Sequence, residues 1–148
     1  MRIGLASDHR GYKLKNQLID YLEEEGYEIE DCGTFNEEST DYPDYAFKLG
    51  ESVANKDVDF GVAICGSGIG ISIACNKVKG IRCAKVDSIE DVIATRNDND
   101  ANIVAFGEKM EISKAKEIVD TFIKTPTSTE EKHIRRRNKI KSYEENNN

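Results

Sequence analysis

One stretch restricts the fold more than any other. Residues 60–64, Phe-Gly-Val-Ala-Ile, form a short apolar run suited to a buried strand. The chain then passes through Cys65 into glycines at alternate positions, Gly66, Gly68 and Gly70, and continues as Ile71-Ser72-Ile73-Ala74-Cys75-Asn76. A strand that runs through a glycine turn into a helix aims backbone N–H groups at an anion. A cysteine at the strand's carboxyl end, beside such donors, can act as a base or nucleophile, because the donors favour thiolate. Two readings of the stretch stay open: a thiol beside an anion cradle, or a small core residue before a tight turn.

The rest of the chain repeats strand and helix from end to end. Residues 2–7 read as a buried strand. Residues 12–25 place Leu14, Leu18, Ile19 and Leu22 at helical spacing, closed by Gly26. Residues 27–32 alternate as a second strand, and a polar loop, 33–42, leads to Pro43, which opens a helix carrying Tyr45, Ala46, Leu49, Val53 and Ala54. After the strand at 59–64 and the helix to about Lys77 come a strand at 81–86 and a helix capped by Ser88 and running to about Arg96. A strand at 101–106, a helix capped by Ser113, a break at Thr125-Pro126-Thr127 and a last helix, 130–145, complete the chain. With no hairpin signal, this alternation predicts an α/β fold: a parallel five-stranded sheet covered by helices on both faces, a three-layer α/β/α sandwich. Ligands of such sheets bind outside the carboxyl ends of the strands. Asp8-His9, the 33–42 loop, Cys65 to Gly70 and Gly107-Glu108-Lys109 all fall on that rim.

At 148 residues one domain is expected, with residues 1–143 as the folded unit and 144–148 as a polar, disordered tail. A net charge of −7 argues against a general nucleic-acid binder. No apolar run has membrane-spanning length and no signal peptide is readable, so no membrane partner is expected. Cys32, Cys65, Cys75 and Cys83 show no C-x-x-C spacing; no zinc site is suggested, and the reducing cytoplasm is the expected compartment.

Four motifs can carry chemistry. The glycine turn is not a dinucleotide fingerprint, since position 71 is isoleucine, and it lacks the lysine of a P-loop, so it reads as a generic anion cradle. Asp8-His9 puts one of the two histidines on the ligand rim. The run Lys132-His133-Ile134-Arg135-Arg136-Arg137 is either a solvated basic face or, in an acidic chain, a clamp for a phosphate monoester. In Thr40-Asp41-Tyr42-Pro43 the tyrosine can lie over the site, or the segment can simply start a helix with Asp41 near the cap. The last helix has too few apolar residues to need this domain's core, and is expected to pack on or reach into another subunit.

Together these residues resemble the ribose-5-phosphate isomerase B family, which includes galactose-6-phosphate and allose-6-phosphate isomerases. The resemblance runs from Arg2 to about Tyr143 and rests on Ser7-Asp8-His9-Arg10-Gly11-Tyr12, Cys32-Gly33-Thr34, Thr40-Asp41-Tyr42-Pro43-Asp44-Tyr45, the stretch 64–74, Asn99-Asp100-Ala101-Asn102, and Lys132-His133-x-x-Arg136. It implies a flavodoxin-like or Rossmann-like sheet and an aldose–ketose isomerase using no metal or other cofactor. It also implies a homodimer or dimer of dimers with shared sites, the C-terminal helix being used in the dimer. The family's proton-moving cysteine falls on Cys65. The anion hole falls on Gly66, Ser67, Gly68, Ile69 and Gly70, with Ser67 counted among the catalytic groups. Substrate hydroxyls would be held by Asp8, His9, Tyr42 and Asn99. Phosphate contacts would come from Lys109 and from the neighbouring subunit's Lys132, His133 and Arg136, written here as they stand in this chain.

This chain departs from the family pattern in places. Lys109 and Lys132 stand where arginine is common, which keeps the charge and loses the bidentate fork. Some members place a glutamate base where this chain has Ile71; this chain is of the cysteine type. The family's ring-opening histidine falls on Asp98, so ring opening, and the identity of the sugar, are where this chain is expected to differ. Three functions follow: a pentose-phosphate isomerase, the same chemistry on an aldohexose 6-phosphate, or a non-catalytic sugar-phosphate-binding protein.

Overall fold

The computed structural model describes residues 1–147. The elements are β1 (Arg2–Ser7), α1 (Tyr12–Glu24), β2 (Glu28–Asp31), α2 (Tyr42–Ala54), β3 (Phe60–Cys65), α3 (Ile69–Cys75), β4 (Cys83–Lys85), α4 (Ile89–Ala94), β5 (Ile103–Gly107), α5 (Ile112–Lys124) and α6 (Glu131–Asn146). All strand pairs are parallel, in the order β2-β1-β3-β5-β4. The chain leaves β1 toward β2 on one side and returns to β3 on the other, so the switch point lies between β1 and β3. β5, apolar over its length, lies inside the sheet, while the short β4, with Lys85 in its last position, takes the edge.

The period of two along each strand divides the core. Leu5, Val62 and Val104 face α1, α4 and α5, where Leu18, Leu22, Val92, Ile118 and Phe122 are fully buried. Ala6, Ala63 and Ala105 lie side by side in register on the opposite face, against Ala46, Leu49 and Val53 of α2 and Ile71 and Ala74 of α3. Small side chains in that row let α2 and α3 sit close to the sheet. Cys65 belongs to this second face.

Four local expectations need correction. Ser113 does not cap α5; the helix begins at Ile112 with Glu111 as N-cap, so Ser113 lies inside the first turn. The fourth strand is limited to Cys83–Lys85. The helix capped by Ser88, whose side chain accepts the Asp91 N–H, runs past Arg96 as a π turn, Thr95–Asn99. Burial of Arg96 explains that turn: its guanidinium sits over the Phe60 and Phe122 rings and donates to Asp100 and to the Ala101 and Thr125 carbonyls. Finally, α6 continues through Asn146, well into the stretch expected as a tail, and Glu144 there accepts the Gly80 N–H at 2.7 Å. Asn148, the end of that stretch, lies outside the described residues.

α6 buries none of its residues, and Ile134, Ile140 and Tyr143 are exposed along it. No helix among the described residues is long and apolar enough to cross a membrane.

Candidate active site

The carboxyl ends of three neighbouring strands are stitched into one rim. Asp8 N–H donates to the Ile64 carbonyl at 3.3 Å, and Glu108 N–H donates to the Cys65 carbonyl at 2.9 Å. Cys65, the last residue of β3, is thereby fixed between the loop after β1 and the loop after β5. Its side chain is 4% exposed and forms the floor of a cleft of about 420 Å³. Gly68 donates its N–H to Cys65 Sγ at 3.2 Å. This contact needs glycine: Gly68 has φ +80°, and a Cβ there would fall 2.6 Å from the Phe106 carbonyl carbon.

Ser67 and Ile69 complete the turn. Ser67 Oγ accepts the Ile69 N–H at 3.1 Å, which leaves the serine O–H for an acceptor in the cleft. Ile69 itself is exposed. Gly70 is required by Tyr42: a Cβ on Gly70 would lie 2.7 Å from the tyrosine Cζ. Tyr42 therefore does both things open to it, covering the cleft while forming the first residue of α2 behind the Asp41 N-cap.

Asp8 is buried, and one carboxylate oxygen accepts the N–H groups of Arg10 and Gly11 at 3.0 and 3.2 Å. Its other oxygen is the one left to face a ligand. His9 accepts the Thr40 N–H on Nδ1 at 3.2 Å, which puts the proton of the neutral ring on Nε2. Lys109 lines the cleft with Asp8, Tyr42, Cys65 and Ser67. Arg10 lines it too, although the sequence reading gave it no role. A guanidinium two residues beyond Asp8, on the ligand rim, is the signal that marks it.

A second group of the expected residues lies elsewhere on the chain. Asp98 is in the π turn, where its carboxylate meets His133 Nε2 at 3.6 Å and accepts from the Asn97 side chain at 2.8 Å. Arg137 joins this group through the Ser128 carbonyl at 2.9 Å and the Asp98 carbonyl at 3.4 Å. Asn99 is exposed, its carbonyl held by Arg82. The basic run therefore divides. His133 and Arg137 turn toward the domain. Lys132 pairs with Glu130, Arg135 pairs with Glu131, and Arg136 is exposed. None of Asp98, Asn99, Lys132, His133 and Arg136 lines the Cys65 cleft of its own chain. Among the described residues no group of three or more His, Cys, Asp and Glu is placed to hold a metal ion.

Comparison with known proteins gives a consistent result. A family model described as Ribose/Galactose Isomerase matches residues 3–140. The chain is 42% identical over 123 residues to ribose-5-phosphate isomerase B of Escherichia coli, covering 82% of this chain and 83% of that one. It superposes on the solved ribose-5-phosphate isomerase B of Clostridium thermocellum with a TM-score of 0.95 and 44% identity, covering 100% of both chains. With the type B ribose 5-phosphate isomerase of Trypanosoma cruzi the TM-score is 0.93 at 42% identity, covering 99% of each.

Proposed function

The chain belongs to the ribose/galactose isomerase family and is an isomerase, and we propose on that premise that it interconverts ribose 5-phosphate and ribulose 5-phosphate through an enediolate, with Cys65 as the proton-moving base and no metal in the reaction. The observation that carries this reading is the buried Cys65 thiol, on the floor of the cleft, facing an N–H donor and not an acceptor.

The chemistry follows from the side chains. Cys65 thiolate takes the C2 proton of the open-chain aldose, breaking C2–H and forming S–H, and the electron pair passes to the C1 carbonyl oxygen. The hydroxyl proton on O2 then passes to O1, the same sulfur returns its proton to C1, and the charge left on O2 closes the carbonyl at C2. The Gly68 N–H donates to the sulfur and holds it in place on the cleft floor. Negative charge on the enediolate oxygen needs donors already in place; the Ser67 O–H is such a donor, beside the N–H groups of the 66–70 turn that neither Cys65 Sγ nor Ser67 Oγ takes up. Asp8 and Tyr42 line the same cleft, with His9 next to Asp8 in the chain, and the three would orient the sugar hydroxyls.

The second group of residues enters this reading through a second copy of the chain. Asp98, Asn99, Lys132, His133 and Arg136 gather around α6, a helix that buries nothing of its own, and would complete the neighbour's site in a homodimer or dimer of dimers. Mixing Cys65→Ala protein with Arg136→Ala protein tests this: activity should partly return as subunits exchange. No return in proven mixed dimers would mean that each site is built within one chain.

Asp98 favours a second reading for the sugar. A carboxylate there accepts a proton from the anomeric hydroxyl but, unlike a histidine ring, offers no N–H to the ring oxygen. Turnover of ribose 5-phosphate, allose 6-phosphate and galactose 6-phosphate by the natural protein decides between them. Fastest turnover of ribose 5-phosphate supports the pentose reading; a marked preference for a hexose phosphate replaces it; no turnover of any leaves a binding protein.

A further inference from the structure

Arg10 stands in the cleft with no role in the chemistry above. It follows Asp8 and His9 in the loop after β1, and about half of its side chain is exposed at the cleft mouth. Its guanidinium lies across Gly66. A Cβ built on Gly66 would fall 2.7 Å from Arg10 Nη1 and 2.9 Å from Cζ, so the first glycine of the turn makes room for this group. From the other side Arg10 Nε lies 2.5 Å from Glu108 Oε2. Glu108 is itself anchored, its N–H shared between the Cys65 and Gly66 carbonyls at 2.9 and 3.3 Å. The contact is an ion pair without hydrogen-bond alignment, and that carboxylate oxygen is buried with no hydrogen-bond partner. Among the described residues neither Nη1 nor Nη2 of Arg10 donates a hydrogen bond. A fork held by its Nε side, with its two terminal nitrogens unengaged, is arranged to meet two oxygens of one anion.

Which anion follows from charge. The enediolate carries about one charge, and the Ser67 O–H is left for it. A phosphate monoester carries about −1.5 to −2 at neutral pH and has three acceptor oxygens. Arg10 and Lys109 are the two cations lining this cleft. Two cations suit a dianion, and Lys109 is a point charge without a fork. We propose that Arg10 is a phosphate-contacting residue of the same chain that supplies Cys65, its fork held over Gly66 by Glu108. This rests on the sugar-phosphate reading for its substrate, but phosphate binding itself can be measured without turnover.

The test uses the whole protein and its Arg10→Ala and Arg10→Lys variants, with inorganic phosphate as the calorimetric ligand and ribose 5-phosphate as the substrate. Arg10→Ala should weaken phosphate binding about tenfold and raise KM by a similar factor, with kcat changed less than about twofold. Arg10→Lys should fall between the two, because it keeps the charge and loses the fork. Unchanged phosphate affinity in Arg10→Ala overturns the proposal. So does a fall in kcat at constant KM, which would put Arg10 at the reacting carbons. Wild-type affinity in Arg10→Lys would overturn the role of the fork. If the natural protein fails to isomerise ribose 5-phosphate, the functional reading fails, while the phosphate titration still judges Arg10.

Discussion

Cys32 and Cys65 are alike in almost every respect that a sequence records. Each stands at the carboxyl end of a parallel strand, each precedes a glycine, and each is buried in the same face of the core. Their neighbours differ in sign. Cys32 Sγ faces acceptors, the Glu30 carboxylate at 3.5 Å and the Glu30 carbonyl at 4.0 Å. Burial, then the Glu30 charge and hydrogen bond, push the Cys32 thiol up to about 12. Lys15, fully buried beside it, opposes this weakly because its ammonium is already bound by Asp31 at 2.8 Å. Cys65 Sγ faces a donor, the Gly68 N–H. Strand-end placement and burial therefore do not tell the two thiols apart; the polarity of their partners does. Position adds the rest: β2 is an edge strand, whereas β3 flanks the switch point where the rim opens.

The largest effect that separates the two is on turnover. Cys65→Ala should lower kcat by about a thousandfold or more, since it removes the proposed proton carrier, whereas Cys32→Ala should stay within about threefold of the natural protein. Comparable losses in both would mean that the partners of the two thiols do not set their roles apart. Next in size is the donor itself. Gly68→Ala keeps the N–H but forces a Cβ against the Phe106 backbone at φ +80°, so the N–H must move away from Sγ. A loss of about a hundredfold in kcat, together with roughly 1–3 kcal/mol of stability, is expected from activity and denaturant measurements. Full activity would show that the contact to sulfur is incidental. The smallest effect is on stability at high pH. The folded thiol of Cys32 holds its proton more tightly than the unfolded thiol, so between about pH 9 and 12 the folded state binds more protons and stability falls as pH rises. The natural protein should therefore lose more stability than Cys32→Ala between pH 8.5 and 10.5 in denaturant melts, with the difference vanishing below pH 8.5. Parallel pH profiles would remove the assignment.

The parts of this molecule that sequence reveals are those set by local period and spacing. The alternation of strand and helix, the Cys65 turn and the Asp8 rim all follow from residues near one another. What the sequence conceals depends on distant partners. The insertion of β5 between β3 and β4 is a pairing choice that neither strand's own pattern encodes. The π turn that carries Asp98 exists because Arg96 seeks Phe60, Phe122 and Thr125, far along the chain. The run from Lys132 to Arg137 looks like one basic patch, yet His133 turns to Asp98 and Arg137 to Ser128 and Asp98 while Lys132 and Arg135 face glutamates. Arg10 is unremarked in sequence because Glu108, which holds it, belongs to another strand's loop.

The proposed role of Cys65 is to touch the C2 proton. Proton exchange measures this without waiting for complete isomerisation. Ribose 5-phosphate incubated in D2O with the natural protein should gain deuterium at C2, seen by loss of the C2 proton resonance. With Cys65→Ala the resonance should persist, while calorimetry shows inorganic phosphate still bound with near-natural affinity. Deuterium entering C2 at a substantial rate in the alanine variant would contradict the account and assign the proton to another group.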